Sequence, residues 1–314
     1  MTVRKQGNQL KASQNPFVLM PILLLMWGSL AAISKLLLQH LDSYQLLFYM
    51  YGIGVIVFFI IVLYKVQLRV MLSWKRTEWL LLGSCGVLTF FYDFFYLKSL
   101  ELIPAVEASM LNYLFPIFIV LLAVPIHKEP LHGSKLLSLG MGFIGTVLLV
   151  TKGDLSNVAF TNLRGDILAI LAAVSWGLFT NLIKKNQTDL LLSTFFLTFV
   201  AFLLSALALL VSSRFMIPQG IELYGVIWLS LSNIILGFFL YFRALQYSSA
   251  SLIASFTFFT PFVTLMFIVF LLGERLTWTD ALAALLIIGC VPLQKLGEAT
   301  ARGKRPMTKT AEGP

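Results

Sequence analysis

Long unbroken apolar runs, separated by short polar breaks, make up almost the whole chain. An α-helix needs about 20 apolar residues to cross roughly 30 Å of hydrocarbon at 1.5 Å per residue. Ten runs meet that length: 17–38, 44–64, 78–99, 104–123, 133–151, 165–184, 190–211, 222–244, 249–271 and 277–295. The longest break, from about Thr151 to Arg164, is too short for a soluble domain. The pattern therefore predicts an all-α integral membrane protein with ten transmembrane helices.

The pattern also says the same thing twice. Tyr96 to Glu129 reads without a gap against Tyr241 to Glu274, about 145 residues later, with Tyr96 on Tyr241, Pro116 on Pro261 and Glu129 on Glu274. Trp27-Gly28 returns as Trp176-Gly177. Ten spans split into five and five, and an odd number per repeat makes the second copy enter the membrane from the opposite side. The expected organisation is a cytoplasmic N-terminal tail over 1–16, a first five-helix repeat over 17–151, an inverted second repeat over 165–295, and a disordered cytoplasmic tail over 296–314, with a central cavity between the halves.

Composition narrows the class further. Hydrophobic residues are 59% of the chain and charged residues 12%, too apolar for a soluble surface. With the N-terminus inside, the cytoplasmic segments carry 17 of the 23 lysines and arginines, which places both termini in the cytoplasm of a plasma-membrane protein. The net charge of +9 is then accounted for by topology and anionic lipid, so the partners expected are the lipid bilayer and a small-molecule substrate, with no nucleic acid. The first apolar run is too long for a signal-peptide core and reads as the first helix. Cys85 and Cys290 fall inside spans and read as buried free thiols.

Catalytic signatures are missing. There is no P-loop, since Gly297–Arg305 has the wrong spacing and no hydroxyl after its lysine. There is no HExxH, paired GxGD or GxSxG motif, so the chain is expected not to be an enzyme. His127, Glu129 and His132 share one turn but read as a solvated turn rather than a metal site, and Glu129 and Glu274 as residues of helix ends and topology.

Ionisable groups inside spans are the sharper signal, because a charge at the bilayer centre costs about 2.5–3.5 kcal/mol even on the lenient insertion scale. Asp93 and Glu107 stand out, and they map onto Phe238 and Leu252, so repeat symmetry does not require them. Either they pair with Lys98 or Lys35 and hold helices together, or one carboxylate takes a proton or a substrate ammonium. Tyr92 and Tyr96 share a helix face beside Asp93, and Ser109, Asn112, Tyr113 and Pro116 share another. Asn112 reads equally as a cavity group or a helix–helix hydrogen bond. Pro116 and Pro261 lie near the middle of their helices, where each removes a backbone hydrogen bond, and are expected to shape gating helices. Gly140, Gly142 and Gly145 read as packing residues.

Together these features resemble the drug/metabolite transporter superfamily, in particular its EamA-type members with two repeats of five helices. The paired Trp-Gly positions, Ala105 to Pro116, Phe258-Phe259-Thr260-Pro261 and Gly273-Glu274 carry the resemblance over nearly the whole chain. Within that group the chain is most similar to bacterial exporters of aromatic amino acids, which share an aromatic pocket and a Tyr-acid pair in helix 3, although Phe115 stands where that branch tends to carry Trp. The resemblance implies export from the cytoplasm, no cofactor, and a monomer or weak homo-oligomer. It implies a cavity lined by Tyr92, Tyr96, Tyr113 and Trp176. With Asn112, Tyr241 and Phe258 these form the expected substrate path, Asp93 and Glu107 tuning charge. The function expected is secondary export of small amphipathic metabolites, amino acids first. The alternatives are import or exchange of another solute, such as a sugar or nucleotide derivative, and a receptor without flux.

Overall fold

A computed structural model of the chain describes residues 14–65, 68–154, 162–263 and 278–303. Every regular element among them is helical. The helices are α1 (Pro16–Trp27), α2 (Leu30–Leu37), α3 (Ser43–Lys65), α4 (Arg76–Leu102), α5 (Ala105–Asn112), α6 (Phe115–His127), α7 (Gly133–Thr151), α8 (Leu163–Ile183), α9 (Leu190–Ser212), α10 (Ile221–Leu229), α11 (Leu236–Gln246), α12 (Ala250–Thr257) and α13 (Trp278–Gly303). Eight helical stretches are long and apolar enough to cross a membrane, and Ala250–Val263 and Ala281–Gln294 are shorter apolar helices. They coincide with the ten runs of the sequence, except that the ninth run extends past Val263, outside the described residues. Glu274 lies outside them too. The last helix continues to Gly303, so the tail expected to be disordered from 296 is helical over its first residues. Its composition there, GEATARG, is polar but includes alanines and a glutamate that favour helix.

Lipid inverts the soluble pattern. Leu25, Ile56, Leu80, Leu207 and Leu210 are exposed on the outer faces, where hydrocarbon accepts them, while serines, threonines and asparagines are buried within. The buried hydroxyls bond back to their own helix: Thr89 donates to the Cys85 carbonyl, Thr194 to Leu190 and Thr198 to Thr194. Others tie helices together. Ser138 donates to the Cys290 carbonyl at 2.6 Å, joining α7 to α13, and Asn181 donates to Ile119, joining α8 to α6.

The helices pack in pairs. α3 lies on α9 and α7 on α13, each helix against the one it aligns with in sequence, α6 lies on α12, and α4 packs on α8 as α1 packs on α11. Small residues permit the close approaches. A Cβ on Gly177 would stand 2.7 Å from Phe118, and one on Gly145 would stand 2.8 Å from Ile287. Gly142 meets the Phe258 ring, whereas Gly140 faces open space, so the glycine stripe packs at two of its three positions.

Four interruptions converge in the interior. α1 and α2 are separated by a turn at Gly28-Ser29, and α5 and α6 by one at Tyr113-Leu114. A turn at Phe258 interrupts Ala250–Val263, and a π-helical segment, Ser230–Ile235, joins α10 to α11. Such distortions leave backbone groups that need protein or a wet cavity as partners at membrane depth.

Candidate functional site

The interruptions surround a cavity of about 390 Å³. Its residues include Trp27, Phe115, Trp176, Phe238 and Pro261 and the Gly28, Tyr113 and π-segment breaks, together with pieces of α2, the second half of α4, α5 and the end of α7. These pieces lie toward one end of the bundle, the end at which α7 finishes, and Lys152 on that rim is exposed. Phe17 packs edge-on against Phe256 at 5.0 Å, and Phe258 fills the space beside Gly142.

Aromatic rings make the floor and one wall. Trp176 stands 4.6 Å from Tyr92, 5.5 Å from Trp27 and 5.3 Å from Tyr241 between ring centroids, with the two indoles nearly perpendicular. Trp176 can occupy this spot because its neighbour Gly177 lets α8 approach the α6 backbone. Tyr92 and Tyr96 stack at 6.3 Å and 7°, one turn apart on α4, with Tyr96 bonded to Ser109 at 3.2 Å. Asn112 donates to the Tyr92 hydroxyl at 3.4 Å, and its carbonyl oxygen, buried, has no protein partner.

Asp93 also lines the cavity. Its carboxylate accepts a hydrogen bond from the hydroxyl of Tyr51, a fully buried residue of α3. Pairing with Lys35 or Lys98 does not occur. Lys35 donates to the carbonyls of Leu100 and Ile103, and Lys98 pairs with Glu101 at 2.8 Å. The reason is local: both lysines sit near helix ends, where bare carbonyls or an acid one turn away are nearer than Asp93. Lys184 of the second half does what Lys35 does in the first, donating to the carbonyls of Leu245 and Ser248. Glu107 does not reach the cavity. It is buried in the first turn of α5, facing Asp166 in the first turn of α8.

Of the residues expected to bind substrate, Tyr92, Tyr96, Asn112, Tyr113 and Trp176 line the cavity. Tyr241 and Phe258 are fully buried outside the lining: Tyr241 lies behind Trp27 and Trp176, its hydroxyl bonded to Thr180 at 2.8 Å, and Phe258 packs on α7. Pro261 lines the cavity, while Pro116 is buried at the start of α6, just after the break, where a missing N–H costs little. Sequence reasoning passed over Trp27, Phe115, Asn233, Phe238 and Thr260 as lining residues. Trp27 had a signal, its equivalence to Trp176.

The turn after α6 is more than solvated. Glu129 accepts from Lys135 at 3.1 Å and from the Ser251 hydroxyl, locking α6 to the starts of α7 and α12. Burial pushes its carboxyl up, but Ser251 and Lys135 outweigh burial and hold it below its ordinary value. No metal-ligating cluster forms there among the described residues.

The EamA-like transporter family model matches residues 16–151 and again 163–293. The chain belongs to the EamA-like transporter family. An uncharacterized transporter of Archaeoglobus fulgidus is 26% identical over 88% of this chain and 96% of its own. The aromatic amino acid exporter YddG of Ancylobacter novellus is 25% identical over 64% of this chain and 70% of its own. A solved crystal structure aligns with TM-score 0.75 at 23% identity, over 90% of this chain and 98% of that one, a likeness of fold alone. This EamA protein is thus a multi-pass membrane protein of a transporter family.

Proposed function

We propose that this chain is a plasma-membrane secondary transporter that exports small amphipathic metabolites, amino acids foremost, by alternating access. The observation that carries the reading is the aromatic-floored cavity inside the helical bundle, reaching toward the end at which α7 finishes. Its volume is at the size of small-molecule sites, about 300–1,000 Å³. Its mix of indole, phenol and amide groups suits a solute with one apolar and one polar part. The similarity to an aromatic amino acid exporter supports the substrate class.

Two inverted five-helix halves are part of the same reading, with both termini cytoplasmic and the cavity facing outward. Helix-on-counterpart packing and the equivalent Lys35 and Lys184 caps support it. A nucleotide derivative would want a deep cation, and Lys152 on the rim is the basic residue among the lining groups. Purified chain in proteoliposomes loaded with radiolabelled amino acids is expected to release at least one faster than protein-free vesicles do. Equal release across a broad panel would remove amino acids as the cargo.

A further inference from the structure

We infer that Asp93 is an ammonium-binding residue and that the cavity selects solutes carrying a protonated amine or a quaternary nitrogen, with or without a carboxylate. The inference rests on the cavity being the transport site.

Asp93 lines the cavity yet has no cationic partner among the described residues. The two lysines nearest in sequence or span are committed elsewhere, Lys35 to backbone carbonyls and Lys98 to Glu101. What the fold supplies instead is a neutral donor, Tyr51, which is fully buried and holds one carboxylate oxygen in place. A buried carboxyl group oriented by the protein but left without a protein cation is balanced either by a proton or by a cation from outside, and its place on the cavity wall gives a solute cation access to it.

The surroundings suit an ammonium rather than another cation. Asn112 lines the same cavity, and its buried carbonyl oxygen has no protein partner, a second acceptor for N–H donors once its amide turns toward the solute. The rings of Trp27, Tyr92 and Trp176 line it as well, and electron-rich ring faces attract organic cations. A small metal ion would need several oxygen ligands converging on one point, and no such cluster of acidic residues exists among the described residues. Asp93 has no counterpart in the second half, where Phe238 occupies the equivalent position, so the site is one-sided within a duplicated frame.

The test is calorimetric titration of the full chain in lipid nanodiscs with four probes of similar size: phenethylamine, its trimethylammonium analogue, 3-phenylpropanol and 3-phenylpropionate. Both cations are expected to bind at least tenfold tighter than the alcohol, and the acid weakest. Asp93→Asn is expected to remove that tenfold preference, and Tyr51→Phe to reduce it by a smaller factor. Alcohol and amine binding equally to the unaltered chain, or no probe binding at all, would overturn the assignment. That series needs no variant, so a misfolded Asp93→Asn does not rescue it. Flux of amino acids in proteoliposomes without any preference for cations would sink the ammonium site and leave the transport reading standing. Cation binding without flux of any solute would do the reverse.

Discussion

A methyl group added at Gly86 would stand 2.6 Å from the Leu197 carbonyl and 2.7 Å from Val200, both on α9. A backbone oxygen cannot move aside, so Gly86→Ala is expected to destabilise by about 1–3 kcal/mol, read as a lower thermal midpoint of the purified chain. Gly83 lies one turn earlier and meets nothing within 4 Å. There Gly83→Ala is expected to leave the midpoint unchanged or raise it, because alanine favours helix by about 0.5–1 kcal/mol. Charge gives a second prediction. The carboxyl of Glu129 is held below its ordinary value, so the unfolded chain takes up its proton first as pH falls. Its stabilisation is present above the unfolded-state value and disappears as pH drops through the folded-state value. Glu129→Gln should therefore destabilise the fold at neutral pH by roughly 1–3 kcal/mol for a severed charged hydrogen bond, read as a lower midpoint, and the gap from wild type should close in acid. A gap that stays constant from pH 7 to 3 would mean that the carboxylate's charge is irrelevant. At this scale the sequence was legible where partners are close along the chain, as for Tyr92 and Tyr96 one turn apart. It was silent on Tyr51 and Asp93, 42 positions apart, because only the packing of α3 on α4 brings them together.

The helices were readable to within a few residues because each apolar run ends in polar residues that prefer water. Their interruptions were readable only in part. Pro116 announced the break beside it, but Gly28-Ser29 and the π segment contain no proline, and their distortion depends on the neighbours they pack against. Ser29 accepts from the Trp228 indole of α10 at 2.9 Å, and Ser230 donates to the Met50 carbonyl of α3. The paired lysines are likewise an element-level device. Lys35 ends α2 and covers the C-terminal carbonyls of α4, and Lys184 ends α8 and covers those of α11. A cation at a helix C-terminus meets the negative end of the dipole and the last unsatisfied carbonyls, worth about 0.3–2 kcal/mol. Lys35→Met and Lys184→Met are each expected to destabilise by that order, read as a lower thermal midpoint, and the double variant to show the sum, since the sites share no partner. An effect from one lysine alone would show that the two ends of the bundle are held differently.

The duplication was visible in the letters, while the side to which the cavity opens was not, because openness depends on which end of the bundle is packed shut. In the proposed arrangement the loops that follow the second helix of each half lie on opposite faces of the membrane. Lys75 precedes α4 and belongs to the inner face, while Phe215 follows α9, is exposed and belongs to the outer face. Ala32 lines the cavity and is exposed, whereas Leu131 is exposed beyond α6, in the loop before α7. The chain's own cysteines, Cys85 and Cys290, are free but fully buried, so wild type should give no background with a membrane-impermeant thiol reagent. In intact cells Phe215→Cys and Ala32→Cys are expected to label from outside. Lys75→Cys and Leu131→Cys should label only after the membrane is permeabilised. Labelling of residues 75 and 215 from the same side would rule out inverted halves, since five crossings per half cannot leave equivalent loops on one face. Labelling of residue 32 only after permeabilisation would keep the halves inverted but turn the cavity toward the cytoplasm, and excess external substrate that slows labelling at residue 32 but not at 215 would place the solute inside the cavity.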